Sequence, residues 1–99
     1  MRYVVDIDNT IFYSEVDGNG DYTLVGENRE LIDKINKLHS EGNEIILWTG
    51  RHWNHLKITE EQLWLSGVRY NTLIMGKPVA DFYIDDLSIT PEEFLRRHT

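Results

Sequence analysis

The chain has 99 residues, room for one domain with a single small core, and a formal net charge of −7 from 17 acidic and 10 basic residues. That balance argues against nucleic acid as a partner, which needs a basic footprint, and the absence of cysteine excludes disulfides and thiolate metal sites. No apolar run is long enough to span a membrane, and Met1-Arg2-Tyr3-Val4-Val5-Asp6 meets charge too early for a signal peptide, so a cytoplasmic protein is expected.

In chain order, Tyr3-Val4-Val5-Asp6-Ile7 is a short β-rich run suited to a fully buried parallel strand. Ile11 to Val25 carries Gly18-Asn19-Gly20 between residues of moderate strand propensity, which predicts a β-hairpin. Asp17 to Asp21 imitates the opening of a calcium-binding EF-hand loop. Tyr22 stands where that loop needs glycine, and Asn28 where it needs glutamate, so a hairpin tip is the better reading. From Asn28 to Ser40, Leu31, Ile32, Ile35 and Leu38 share one helical face, with Gly42 as the stop. Glu44 to Thr49 is a second buried strand. A second helix is expected to begin at Thr59, with Gln62 completing a capping box, and to end near Gly67. Thr72–Met75 and Phe82–Ile84 read as strands three and four. Thr90-Pro91-Glu92-Glu93 then opens a last helix with an N-cap, a proline at the first position and a glutamate at the third. Trp48 and Trp64 are expected in the core. No linker or repeat divides residues 1–99, which predicts a single α/β domain: a Rossmann-like parallel sheet with flanking helices and its site at the carboxyl ends of the strands.

The chemistry follows the strands. The first ends in Asp6-Ile7-Asp8-Asn9-Thr10 and the second in Thr49-Gly50-Arg51. The third runs into Gly76-Lys77-Pro78 and the fourth into Asp85-Asp86. Four carboxylates gathered on one rim repel one another unless a cation neutralises them. An oxygen-only donor set without cysteine or a histidine cluster indicates a hard cation, Mg2+ before Ca2+. His52 and His55 lack a third ligand for zinc and read as loop residues.

Val4-Val5-Asp6-Ile7-Asp8-Asn9-Thr10-Ile11 resembles the first motif of the haloacid dehalogenase superfamily, an apolar strand followed by Asp-x-Asp-x-Thr. Ile45-Ile46-Leu47-Trp48-Thr49 resembles the second motif, Lys77 the third, and Tyr83-Ile84-Asp85-Asp86 the fourth, in family order. The resemblance implies a haloacid dehalogenase-like, magnesium-dependent phosphomonoester hydrolase. Asp6 would be the nucleophile and form an aspartyl-phosphate; Asp8 would be the acid/base. Thr49, Gly50 and Lys77 would hold the phosphoryl oxygens. Asp6, the Asp8 main chain and Asp85 would hold the metal, with Asp86 acting through water or orienting its neighbours. Arg51, next to the phosphate-binding residues, reads equally as a substrate grip or a structural salt bridge, and Trp53 could stack on a leaving group.

The short gaps between motifs leave no room for a cap domain, only for a hairpin flap after the first strand. Capless members either take large substrates or complete the site by forming a homo-oligomer. The tail, from Gly76-Lys77-Pro78 through Asp81-Phe82-Tyr83-Ile84-Asp85-Asp86 to Pro91-Glu92-Glu93-Phe94, looks like that of small phosphatases encoded with capsular polysaccharide genes. That implies a small sugar phosphate as substrate. The alternatives are a polynucleotide or protein phosphatase of the same family, or a non-hydrolytic phosphate-sensing domain. A receiver-like sensor carries its lysine last, whereas Lys77 precedes the final acidic pair.

Overall fold

A computed structural model describes residues 1–98. Strand β1 (Arg2–Val5) pairs in parallel with β4 (Glu44–Trp48), from Arg2 beside Glu44 to Val5 beside Leu47. Strand β5 (Thr72–Ile74) joins the other edge of β4, giving a three-stranded parallel sheet in the order β1-β4-β5. Parallel neighbours need crossovers. The first contains helix α1 (Arg29–Ser40); the second contains a 3-10 turn (Trp53–His55) and helix α2 (Leu56–Leu65).

Helix α1 forms as its pattern predicts. Asn28 caps it by accepting from the Leu31 amide, and Leu31, Ile32, Ile35 and Leu38 turn inward. They meet Ile45 and Leu47, which alternate with half-buried neighbours along β4, and Leu63 of α2. The opposite face of the sheet is more open. Val4 is 57% exposed, where the sequence suggested a strand buried on both faces. Helix α3 (Pro91–Arg97) begins at the expected cap, with the Thr90 hydroxyl accepting from the Glu93 amide, and sets Phe94 edge-on against Tyr3.

Between β1 and α1 stands an antiparallel hairpin, β2 (Phe12–Val16) and β3 (Tyr22–Glu27). Its tip is closed by the Asp17 carboxylate, which accepts from the Asn19 and Asp21 amides, and by Gly20 at φ +81°.

Three expectations are corrected. Helix α2 starts at Leu56, so Thr59 and Gln62 lie inside it rather than at its cap. Trp64 is 78% exposed, because α2 turns Thr59, Gln62 and Leu63 inward and Trp64 away from them. Phe82–Ile84 forms no strand. The Tyr83 hydroxyl donates to the Pro78 carbonyl, Lys77 sits 4.3 Å from the Tyr83 ring centroid, and the Asp85 carboxylate accepts from Leu87. These local bonds curl the segment back towards Pro78 instead of laying it along the β1 edge.

Candidate active site

The loop after β1 is wound around one oxygen: the amides of Thr10, Ile11 and Phe12 all donate to the Ile7 carbonyl, at 2.8–3.1 Å. So tight a turn forces Asn9 to φ +60°, a conformation asparagine tolerates better than most residues. Its effect is to leave Asp6 and Asp8 on the same rim while Ile7, fully buried, anchors the loop in the core.

Three backbone bonds bring the second and third motifs together. The Thr49 amide donates to Ile74, the Gly76 amide to Arg51, and the Lys77 amide to Thr49. This short zipper continues the β4–β5 pairing past the strand ends and carries Lys77 to the rim beside Gly50. The resulting open pocket, of about 310 Å3, is bordered by Asp6, Asp8, Gly50, Arg51, Lys77 and the rings of Tyr22 and Tyr83.

The Asp6 carboxyl is pushed above its ordinary value of 3.8, chiefly by burial and also by the neighbouring Asp8 charge. The Ile7 amide, which Asp6 accepts at 2.9 Å, and the Lys77 ammonium pull the other way without winning. The Lys77 ammonium lies 5.1 Å from the Trp48 ring centroid as well as beside Tyr83.

The remaining expected residues divide. Thr49 is fully buried and borders neither this pocket nor the cleft next to it; its hydroxyl accepts from the Arg51 amide at 3.2 Å. Asp85 is exposed and meets Asp6 only as part of the lining of that second cleft, about 940 Å3, between β1, the 83–91 segment and α3. Asp86 borders neither. Among the described residues no three His, Cys, Asp or Glu side chains are grouped closely enough to hold a metal ion. The donor chemistry of Asp6 and of the backbone oxygens beside it fits a hard cation. Because Phe82–Ile84 is not in the sheet, the acidic pair after it is not carried to the Asp6 rim. Trp53 stands 59% exposed against Gly76, and His55 keeps a buried Nδ1 with no hydrogen-bond partner.

Arg51 is the residue whose place the sequence left open. Its guanidinium is buried and pairs with both oxygens of Asp8, Nε to Oδ2 at 2.9 Å and Nη2 to Oδ1 at 2.8 Å. Around it stand four residues that sequence reasoning gave no such part: Ser14, Tyr22, Thr59 and Gln62. A signal existed for two of them. Thr59 and Gln62 are three apart, which resembles a capping box but equally places two polar groups on the buried face of one helix.

Compared with known protein families and with curated proteins, the chain matches none in sequence. Three-dimensional comparison does find neighbours. A Vibrio cholerae protein solved as an MCSG target shares 25% identity over 95% of this chain and 86% of its own, with a TM-score of 0.76. A second Vibrio cholerae protein, provisionally assigned as a 3-deoxy-D-manno-octulosonate 8-phosphate phosphatase, aligns over 77% of this chain and 40% of its own, at 19% identity and a TM-score of 0.54. A chain of the Pnkp1/Rnl/Hen1 complex aligns over 95% of this chain at 24% identity and a TM-score of 0.58. This chain spans only 33% of that one. The small parallel sheet with its flanking helices thus has the haloacid dehalogenase-like fold.

Proposed function

We propose that this chain is a magnesium-dependent phosphomonoester hydrolase that works through an aspartyl-phosphate on Asp6 and takes a small sugar phosphate. The observation that carries the reading is the joint presence of Asp6, Asp8, Gly50 and Lys77 around one open pocket at the carboxyl end of a parallel sheet. A phosphoryl group placed there has a carboxylate nucleophile at its base, a cation beside it and a second carboxylate for its protons.

Asp6 attacks phosphorus while the bond to the leaving oxygen breaks, and that oxygen takes a proton from Asp8. Water then attacks the phosphorylated Asp6, gives a proton back to Asp8, and frees the Asp6 carboxylate with inorganic phosphate. Lys77 and the Gly50 amide offset charge on the phosphoryl oxygens. Thr49, under the rim, would support the loop that presents Gly50. Asp6 and the Asp8 main chain would hold magnesium, with water filling the rest of its shell, since the Asp85-Asp86 pair does not reach the Asp6 rim. When bound, the ion supplies charge neutralisation and positioning.

Support for a sugar phosphate comes from the size of the pocket and from the two tyrosines, Tyr22 and Tyr83, in its lining. Only a hairpin separates β1 from α1, and only a turn and one helix separate β4 from β5, which supports a capless enzyme. The test is phosphate release from a generic aryl phosphate, then from a panel of phosphomonoesters, with magnesium and with chelator. Turnover that needs magnesium, and that is fastest on a sugar phosphate, is expected. Full activity in chelator would overturn the chemistry, and a preference for nucleotide or phosphoprotein substrates would overturn the substrate class.

A further inference from the structure

We propose that Arg51 is a positioning residue for Asp8, leaving Oδ2 as the one oxygen of that carboxylate able to move protons. The proposal rests on the reading of Asp8 as acid/base and adds how that group is held.

A guanidinium carries five N–H donors. Here every one is used. Nε and one proton of Nη2 go to Asp8, and the other Nη2 proton goes to the Ser14 hydroxyl at 3.3 Å. Nη1 gives its two protons to Thr59 Oγ1 at 3.0 Å and Gln62 Oε1 at 2.7 Å. The Tyr22 ring covers one face, its centroid 4.2 Å from the central carbon. Arg51 is 1% exposed. No donor remains for a phosphoryl oxygen, so this arginine does not grip substrate.

Its anchors are themselves anchored. Thr59 donates its hydroxyl proton to the His55 carbonyl at 2.7 Å, and the Gln62 amide donates to the Tyr22 carbonyl at 3.0 Å. Loop, hairpin and α2 are thereby tied through one side chain, and the load falls on Asp8. The two oxygens of Asp8 are not equivalent. Oδ1 accepts from both Arg51 Nη2 and Ser14 Oγ, the latter at 2.7 Å, which fills its two acceptor positions. Oδ2 accepts only from Arg51 Nε and keeps a position free. In the proposed reaction Oδ2 therefore gives its proton to the leaving oxygen and later takes one from water.

The test is a kinetic cycle on a generic aryl phosphate with magnesium, using Arg51→Lys, Ser14→Ala, Asp8→Asn and the two doubles with Asp8→Asn. Lysine keeps the charge but cannot make the paired contact. Arg51→Lys should lower kcat about a hundredfold, the size of effect a displaced catalytic group produces. KM and the inhibition constant of inorganic phosphate should stay within about threefold of wild type. Ser14→Ala removes the bond it donates to Asp8 and the long one it accepts from Arg51, and should cost kcat roughly threefold to tenfold. Neither change should slow Asp8→Asn further, since each acts through the group already lost. Losses that multiply with Asp8→Asn, or weaker phosphate binding in Arg51→Lys, would overturn the proposal in favour of a substrate grip. Should Arg51→Lys fail to fold, the Ser14→Ala cycle decides on the same criteria. Should the wild type turn over no phosphomonoester, the functional reading fails, and thermal unfolding of the same cycle tests the clamp alone. The double variant is then expected to melt no lower than Arg51→Lys, and additive losses would overturn it.

Discussion

At the scale of single residues, Asp6 and Lys77 carry opposite halves of one electrostatic argument. Burial holds the Asp6 carboxyl above 3.8, so ionising it costs the folded state more than the unfolded one. Below 3.8 the group is neutral in both states and carries no penalty. As pH rises from 3.8 through the raised folded value, the unfolded chain ionises first and stability is lost. Asp6→Asn removes that loss. In chelator, its melting temperature should exceed that of wild type at neutral pH, and the gain should shrink to nothing as pH falls below 3.8. A gain independent of pH would mean that the Asp6 charge is not what the fold resists. Lys77 answers that charge, so Lys77→Ala should weaken phosphate binding and turnover together. A preorganised charge of this kind is worth on the order of a hundredfold in rate. A change under about threefold would make Lys77 an ordinary loop lysine, whose stacking on Trp48 and Tyr83 is its whole role.

At the scale of elements, the hairpin does more than its sequence disclosed. Gly18-Asn19-Gly20 marked its tip. Phe12 is fully buried, and Tyr22 lies over Arg51. Ser14, two residues after Phe12 on the same strand, reaches the Asp8 carboxylate. Removing Gly18-Asn19-Gly20 leaves Ser14 and Tyr22 in place. Activity on a small aryl phosphate should therefore survive while preference among larger phosphomonoesters shifts. Unchanged relative rates across a panel would reduce the hairpin tip to a connector. What was legible here was local. The cap at Thr90, the inward face of α1 and the strand from Glu44 each depend on neighbours in the chain, and each stands where the sequence puts it. The Arg51 cluster joins residues 43 apart through side chains and leaves no periodic trace. The pattern Phe82-Tyr83-Ile84 misled because its strand propensity competes with a proline before it and with bonds its own tyrosine and aspartate make nearby.

At the scale of the whole molecule, a chain of net charge −7 presents to an anionic substrate a pocket whose described lining holds two carboxylates, Asp6 and Asp8, and two cations, Lys77 and Arg51. Arg51 is spent on Asp8 and Lys77 offsets the charge of Asp6, so no positive charge is left over for a phosphate. That deficit is why the reading includes a divalent cation. It is also why the nucleophile, rather than the metal, is the claim to test first. The most direct measurement is chemical trapping during turnover of an aryl phosphate with magnesium. The reaction is acid-quenched and the protein reduced with borohydride, which converts an aspartyl-phosphate to homoserine, then mapped by peptide mass spectrometry. Homoserine at position 6, absent in Asp6→Asn and more abundant in Asp8→Asn, is the expected result. Turnover with no homoserine, or with homoserine at position 8 or 85, would contradict Asp6 as the nucleophile.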